Sequence, residues 1–321
     1  MTPVVNRDLQ TTATGKSRWL SSYGGASVLA LILSVGLFSS PAAQAVLLAT
    51  EDGTENTENQ FFAGWDYVGE VNGLSATYLG RGWVLTASHV GPGDLLLNGN
   101  LYPWIPGTEI QLRTNESTLG DLVIFGLDSP YPGMPPLILP SAPPTVGDDL
   151  IMIGCGLNRG TETSWDPNGP SPPEELQGWN WGSGSAKRWG TNKVASLTSG
   201  LINNTVSFYT SFDEGQPNAE AQAAAGDSGG AVFLDTPGGL ELTGIIYAAG
   251  PTPGQPAGTA LYTNLTFVAR MDWYEEEISG ITKILAPLTV PLSPLLWPLL
   301  VSALGATGAW SAFRKTRAGH P

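Results

Sequence analysis

Short runs of Val, Ile, Leu and Tyr recur along the middle of the chain, separated by turns of Gly, Pro and Asn. They fall at 65–71, 74–79, 82–86, 109–112, 122–125, 150–153, 206–209, 231–234 and 242–247. Brief β-rich runs at this spacing predict an all-β domain, a sandwich or a barrel. Helical periodicity is scarce. One segment, 265–278, carries a partial helical stripe of Val268, Met271, Trp273, Tyr274 and Ile278, and predicts a closing helix. The stretch 159–190 is polar and rich in proline and tryptophan (Trp165, Trp179, Trp181, Trp189) and reads as a long surface excursion. A second loop is expected over 251–258, and no internal repeat is visible.

The two ends follow a different pattern. Arg7, Lys16 and Arg18 precede an apolar stretch at 26–38, and small residues follow, ending Ala43-Gln44-Ala45. A positive head, a short apolar middle and an A-x-A finish predict a secretory signal over 1–45, cleaved after Ala45. A membrane anchor is the alternative, for which an apolar run of about 13 residues is short. Near the other end, 295–313 holds no charge, and Arg314-Lys315-Thr316-Arg317 follows at once. That length just spans a bilayer, and the basic cluster predicts a cytoplasmic end. The expected organisation is therefore a signal at 1–45, a folded domain at 46–283 and a sorting or anchor segment at 284–321.

Composition narrows the function classes. The 321-residue chain has a formal net charge of −14, and several of its positive charges sit in the terminal segments. It has no basic patch for nucleic acid. Acidity at this level bears on solubility rather than fold. The single cysteine, Cys155, lies beside the apolar run Ile151-Met152-Ile153-Gly154 and is expected to be buried and inert. An exported domain without disulfides depends on its apolar core. No His/Cys/Asp cluster suggests a transition-metal site, and no cofactor is expected.

Candidate chemistry is concentrated in few residues. The chain has two histidines, and His320 is penultimate, which leaves His89 for the folded domain. His89 ends the run Trp83-Val84-Leu85-Thr86-Ala87-Ser88-His89-Val90. Far downstream stands Gly226-Asp227-Ser228-Gly229-Gly230. A serine hydroxyl becomes a useful nucleophile only with a base in hydrogen-bond reach, and that base needs an orienting acid. Glycines around Ser228 permit a tight turn whose N–H groups point at a substrate carbonyl. Asp121 precedes Leu122-Val123-Ile124-Phe125 and enters a strand beside the core, which makes it the stronger candidate acid. Asp94 and Asp128, flanked by turn residues, are weaker candidates.

Leu85-Thr86-Ala87-Ser88-His89, then Asp121-Leu122-Val123-Ile124-Phe125, then Gly226-Asp227-Ser228-Gly229-Gly230 together resemble the trypsin/chymotrypsin-type serine peptidases. The order His, Asp, Ser matches that family. Leu242-Thr243-Gly244-Ile245-Ile246 is similar to the strand bordering the primary specificity pocket, and Leu261-Tyr262-Thr263-Asn264-Leu265 to the segment before the final helix. Lys187-Arg188-Trp189-Gly190-Thr191-Asn192 resembles a segment of bacterial secreted members. The resemblance covers roughly 61–279. It implies two six-stranded antiparallel β-barrels with a C-terminal α-helix. It also implies a nucleophile at Ser228, a general base at His89, an orienting acid at Asp121 and an oxyanion hole from the N–H groups of Gly226 and Ser228.

The departures from the family pattern are informative. Where the family often has Ala-Ala-His-Cys, this chain has Ser88 and Val90 around His89. Six residues before the nucleophile stands Gln222 in place of the trypsin aspartate, and two further pocket positions align with Ala249 and Ala260. A neutral, narrowed pocket implies a small or medium neutral residue before the scissile bond. In the family a new apolar N-terminus often inserts and pairs with the aspartate before the nucleophile, here Asp227. Cleavage of the signal would expose Val46-Leu47-Leu48, and an internal partner for Asp227 is the alternative. The expected partner is a protein or peptide substrate. The tail, with Val290-Pro291-Leu292-Ser293-Pro294 ahead of the span, resembles exosortase-type (PEP-CTERM-like) sorting tails, although Leu-Ser-Pro stands where the common form has Glu-Pro. That resemblance implies membrane retention before processing by an exosortase-type enzyme, with a permanent anchor as the alternative. A different functional class stays open as well: a protease-like fold that is catalytically silent and serves as a binding or adhesion module at the cell surface.

Overall fold

A computed structural model of the protein describes residues 46–49, 53, 55–59, 64–169, 175–216 and 219–284. The expected signal and the tail beyond 284 lie outside the described residues. The chain enters through β1 (Leu47–Leu48), followed by a short 3-10 turn at Trp65–Tyr67. Next come β2 (Val68–Val71), β3 (Leu74–Gly80), β4 (Trp83–Thr86), β5 (Leu95–Leu97), β6 (Asn100–Tyr102), β7 (Ile110–Arg113) and β8 (Leu119–Gly126). These seven form one antiparallel sheet in the order β6-β5-β2-β3-β4-β8-β7. Asn72-Gly73 makes the β2–β3 turn with both residues at positive φ, 55° and 77°, the geometry that matches the twist of a two-residue hairpin.

The second half contributes β9 (Asp149–Gly154), β10 (Leu157–Trp165), β11 (Leu176–Ser185), β12 (Arg188–Lys193), β13 (Ser196–Leu197), β14 (Ser207–Ser211) and β15 (Ala221–Gln222). It ends with β16 (Ala231–Thr236), β17 (Gly239–Gly250), β18 (Thr259–Leu261), β19 (Leu265–Arg270) and the helix α1 (Met271–Ile284). Its main sheet runs β12-β9-β16-β17-β19-β14-β13, β10-β11-β18 form a three-stranded sheet, and β1 pairs with β15. The all-β expectation with a closing helix holds. The described strands form two seven-stranded sheets and two smaller ones, which by themselves do not establish two six-stranded barrels.

Two expectations are corrected. The segment 265–270 is strand β19, bonded to both β14 and β17, and the helix starts only at Met271. Thr266 and Val268 point into the core while Leu265 and Phe267 are half-buried, a two-residue period that a helical reading mistook for part of its stripe. The stretch 159–190, expected as a surface excursion, is largely exposed or half-buried in its described part but is built of paired strands. It holds most of the β10–β11 hairpin, and β11 pairs with β18 from Gly178↔Leu261 to Asn180↔Thr259. Gly178 permits this, because a Cβ there would strike the carbonyl oxygen of Ala260.

One large core joins the two halves: Val68, Tyr78, Leu85, Ile124 and Phe125 pack with Ile153, Phe233, Ile245, Met271 and Tyr274. A second cluster holds Val46, Leu48, Met152, Phe208, Val232, Ile246 and Val268. Polar links complete the junction. Gly226 O accepts from Ser75 N–H at 2.9 Å and from the Ser75 hydroxyl at 2.8 Å, while the Thr77 hydroxyl donates to Gly229 O at 2.9 Å. The glycine turn therefore lies directly on β3. At Gly229 the backbone has φ +92°, and a Cβ would collide with Ser75 O and Thr86 Oγ1. A Gly229→Ala variant should lose at least about 3 kcal/mol of stability from combined strain and clash. Thermal unfolding should show this as a fall of about 6–12 °C. A wild-type melting temperature would contradict the close docking of the turn.

Candidate active site

Strand register brings Asp121 to His89. β4 and β8 pair antiparallel, with Trp83 opposite Gly126 and Thr86 opposite Val123. Carrying that register past the end of β4 sets Ser88 opposite Asp121. His89 follows as the chain turns away. Its Nδ1 lies 2.8 Å from Asp121 Oδ2, and its backbone N–H donates to Asp121 Oδ1 at 3.1 Å. On the other side of the ring, Nε2 lies 2.9 Å from Ser228 Oγ. The carboxylate accepts only, so Nδ1 carries the proton in the neutral ring and Nε2 is left to accept from the serine hydroxyl.

The environments differ along this line. The His89 side chain is 46% exposed and that of Asp121 16%. The hydrogen bond to Asp121 pushes His89 above its ordinary value, partial burial opposes it, and the Asp121 charge adds to the rise. For Asp121, burial alone would raise the carboxyl. The hydrogen bonds from His89 and Ser88 and the nearby imidazole charge outweigh it, and the carboxyl ends below the usual carboxylate range. Asp94 accepts from Trp104 N–H at 3.1 Å, and Asp128 N–H donates to Pro103 O at 2.8 Å, while the carboxylate bonded to His89 is that of Asp121.

The turn that presents Ser228 is built around Asp227, which is fully buried. Its carboxylate accepts from Ala224 N–H at 2.8 Å, Gly156 N–H at 2.9 Å and Val46 N–H at 3.2 Å. Burial raises its carboxyl to about 6, against the lowering effect of these N–H groups and of the Arg188 charge. Gly226 has φ +99°, a region that L side chains rarely adopt. Among the described residues, the N–H groups of Gly226 and Ser228 have no protein acceptor.

The expected pocket residues are spread over three strands. Gln222 lies in β15 opposite Leu47 and is buried. Its Nε2 donates to Leu265 O at 2.9 Å, and its Oε1 is buried without a partner among the described residues. Ala260 in β18 is buried beside Trp179, and Ala249 in β17 is half-buried opposite Thr266. Cys155 is buried with its thiol toward Gly69 O at 3.6 Å, and burial pushes the thiol far up. Sequence reasoning overlooked the Ser88 hydroxyl, which donates to Asp121 Oδ1 at 2.7 Å. Its one signal was a serine in the place where the family often has alanine.

A family model for trypsin matches residues 52–273. The chain belongs to the trypsin family. Its fold is accordingly a mostly-β trypsin-like fold with one short C-terminal helix, and the family-level activity is that of a serine peptidase. Among relatives, beta-fibrinogenase mucrofibrase-3 of Protobothrops mucrosquamatus is 25% identical over 228 residues, 66% of this chain and 80% of the relative. Among solved structures, kallikrein-related peptidase 10 aligns with a TM-score of 0.45 at 18% identity, over 69% of this chain and 97% of that chain. Its complex with Zn2+ aligns with the same TM-score at 17% identity. No helix among the described residues of this trypsin-family chain is long and apolar enough to cross a membrane.

The raised Asp227 carboxyl has a consequence for stability. Its folded value, about 6, lies above the ordinary value of 3.8. The group therefore favours folding below about pH 4, and that contribution is lost as pH rises through about 6. In a chain that continues ahead of Val46, the Val46 N–H is a neutral peptide donor. A chain beginning at Val46 carries an ammonium there, which would hold Asp227 ionised. The melting temperature of a 46–321 chain should exceed that of a chain extended by a few residues, by more at pH 7 than at pH 4. An equal difference at both pH values would count against the pairing.

Proposed function

We propose that this protein is a secreted serine endopeptidase that cleaves peptide bonds through Ser228, His89 and Asp121 and an acyl-enzyme intermediate. The observation that carries the reading is His89 itself, 2.8 Å from Asp121 Oδ2 on one nitrogen and 2.9 Å from Ser228 Oγ on the other. In this reading His89 Nε2 takes the Ser228 proton as Oγ attacks the substrate carbonyl. Asp121 holds the tautomer and stabilises the imidazolium. The N–H groups of Gly226 and Ser228 receive the developing oxyanion, each donor contributing about 3 kcal/mol to the barrier reduction. His89 then passes its proton to the leaving amine, and water releases the acyl group by the reverse sequence. With Gln222, Ala249 and Ala260 around the primary pocket, the favoured residue before the scissile bond is small or medium and neutral, because no carboxylate there would pair with Arg or Lys.

The same proposal assigns residues 1–45 to a signal for export from a bacterial cell, 46–283 to the peptidase domain and 284–321 to a sorting segment with a span at 295–313. Cleavage after Ala45 would free the amine of Val46, which lies beside Asp227 in the uncut chain. That would join export to the ordering of the nucleophile turn. The tail would hold the enzyme at the membrane until an exosortase-type enzyme releases it.

Two experiments test these readings. In the purified enzyme, Ser228→Ala and His89→Ala should each lower kcat by more than about a thousandfold, and the double variant little further, because the members act as a unit. The wild-type rate should rise with pH through a midpoint above about 6.5, since the base must lose its proton and its value is raised. Wild-type kcat/KM in Ser228→Ala, or a rate flat between pH 5 and 8, would sink the assignment. Separately, deleting 288–321 should leave kcat unchanged. A loss of activity would place the tail inside the folded domain.

A further inference from the structure

Ser88 occupies a special place relative to the Asp121 carboxylate. Its hydroxyl donates to Oδ1 at 2.7 Å, and His89 N–H donates to the same oxygen at 3.1 Å. The other oxygen, Oδ2, faces His89 Nδ1 at 2.8 Å. Two donors on Oδ1 fix the rotation of the carboxylate, so that Oδ2 cannot leave the plane of the imidazole without breaking both. The Ser88 hydroxyl is itself oriented. Gln111, on β7, donates from Nε2 to Gly120 O at 2.8 Å and to Ser88 Oγ at 3.3 Å. The amide nitrogen is identified by the Gly120 carbonyl, which can only accept. A hydroxyl has one hydrogen, and with a donor already pointing at its oxygen, that hydrogen is directed to the carboxylate.

The elements that make this arrangement are rigid. β8, which bears Asp121, is flanked by β4 and β7, with Val123 opposite Thr86 on one side and opposite Gln111 on the other. Ser88 continues the β4 register and Gln111 reaches over from β7, so each neighbour of β8 contributes one link.

We propose that Ser88 is a positioning residue for the catalytic group, the first link of a line Gln111, Ser88, Asp121, His89, Ser228 that sets the orientation and basicity of His89. The proposal rests on the reading of Ser228, His89 and Asp121 as the catalytic machinery. The hydroxyl presents the positive end of its dipole to Asp121 and so offsets part of the negative charge that His89 feels. Besides His89, the titratable group facing Asp121 is the Tyr247 phenol, which burial pushes far up and keeps neutral. Without the Ser88 hydroxyl, His89 should hold its proton to higher pH and be presented to Ser228 in a less fixed orientation.

The test compares Ser88→Ala, Ser88→Thr and Gln111→Leu with wild type and with Ser228→Ala. Each is assayed on one peptide substrate, with rates normalised to sites titrated by a fluorophosphonate, or to protein concentration for Ser228→Ala, which has no serine to titrate. Ser88→Ala should lower kcat about tenfold, the size expected for one lost hydrogen bond to a charged group, with KM within about twofold. Its acid limb should move to higher pH. Ser88→Thr, which keeps the hydroxyl, should restore both quantities. Gln111→Leu changes an exposed side chain and should shift both in the same direction by less. Titrated Ser88→Ala sites with wild-type kcat and an unmoved acid limb would overturn the proposal, as would an effect confined to KM. If Ser88→Ala yields no titratable sites, the decision passes to Gln111→Leu, and an unchanged kcat and acid limb there would overturn it. Activity retained by Ser228→Ala would instead overturn the catalytic reading beneath it.

Discussion

The structure around Ser228 depends on one carboxylate with no access to water. Asp227 is fully buried, and its two oxygens are met by the N–H groups of Ala224, Gly156 and Val46. Burying an ion costs several kcal/mol unless its lone pairs are satisfied. The surrounding chain is shaped by that need. Gly154 and Gly156 cannot be anything larger, because a Cβ at either would run into the Asp227 carboxylate. β1 must lie against β15, since that pairing carries Val46 to the carboxylate. The turn must keep Gly226 at positive φ, and among the described residues the N–H groups on either side of Asp227 have no protein acceptor.

The second dependency is the seam between the two sheets. Asp121 lies in the first sheet, His89 just beyond the end of its strand β4, and Ser228 in the turn before β16 of the second. A 2.9 Å hydrogen bond across such a seam requires the sheets to be fixed to a fraction of an ångström. Apolar packing sets the overall approach but not the register of polar groups. Directional links do that here. Ser75 holds Gly226 O through both its N–H and its hydroxyl, and its Oγ accepts from Cys155 N–H at 2.7 Å. Thr77 holds Gly229 O. These hydroxyls point from one sheet to the other, and the carbonyls they bind flank Ser228.

What was legible in the sequence was local. The apolar run ending at His89, the glycine turn at Ser228 and the strand entry at Asp121 each declare themselves within a few residues, and register joins the first and third. What was illegible depended on distant pairing. Residues 265–270 have residues that suit either a helix or a strand, and bonding on both sides to β14 and β17 decides the matter. The β10–β11 hairpin is polar and glycine-rich, with little alternation to reveal it, and its ordering partner β18 lies some eighty residues away. There Trp179 packs with Phe212 and Ala260, so a residue of the expected surface excursion is part of a buried cluster. Ser88 was visible only as a departure from a family pattern, and its hydrogen bond to Asp121 gives that departure a physical meaning.

The two aspartates of the site show how one side chain is tuned for two tasks. Asp121 retains a little exposure and faces an imidazole that can become a cation, so hydrogen bonds and charge overcome burial and hold it ionised. Asp227 has no exposure and mostly neutral donors, so burial prevails and its carboxyl rises to about 6. The difference follows from the partner on offer. In the proposed mechanism Asp121 stabilises a transient imidazolium and has to be charged before the reaction begins, and groups always present keep it so. An acid whose role is to fix a turn can wait for its cation. Asp227 is held by peptide N–H groups in the uncut chain, with the Arg188 charge acting on it as well, and one of those nitrogens belongs to Val46, the residue that follows the expected cleavage site.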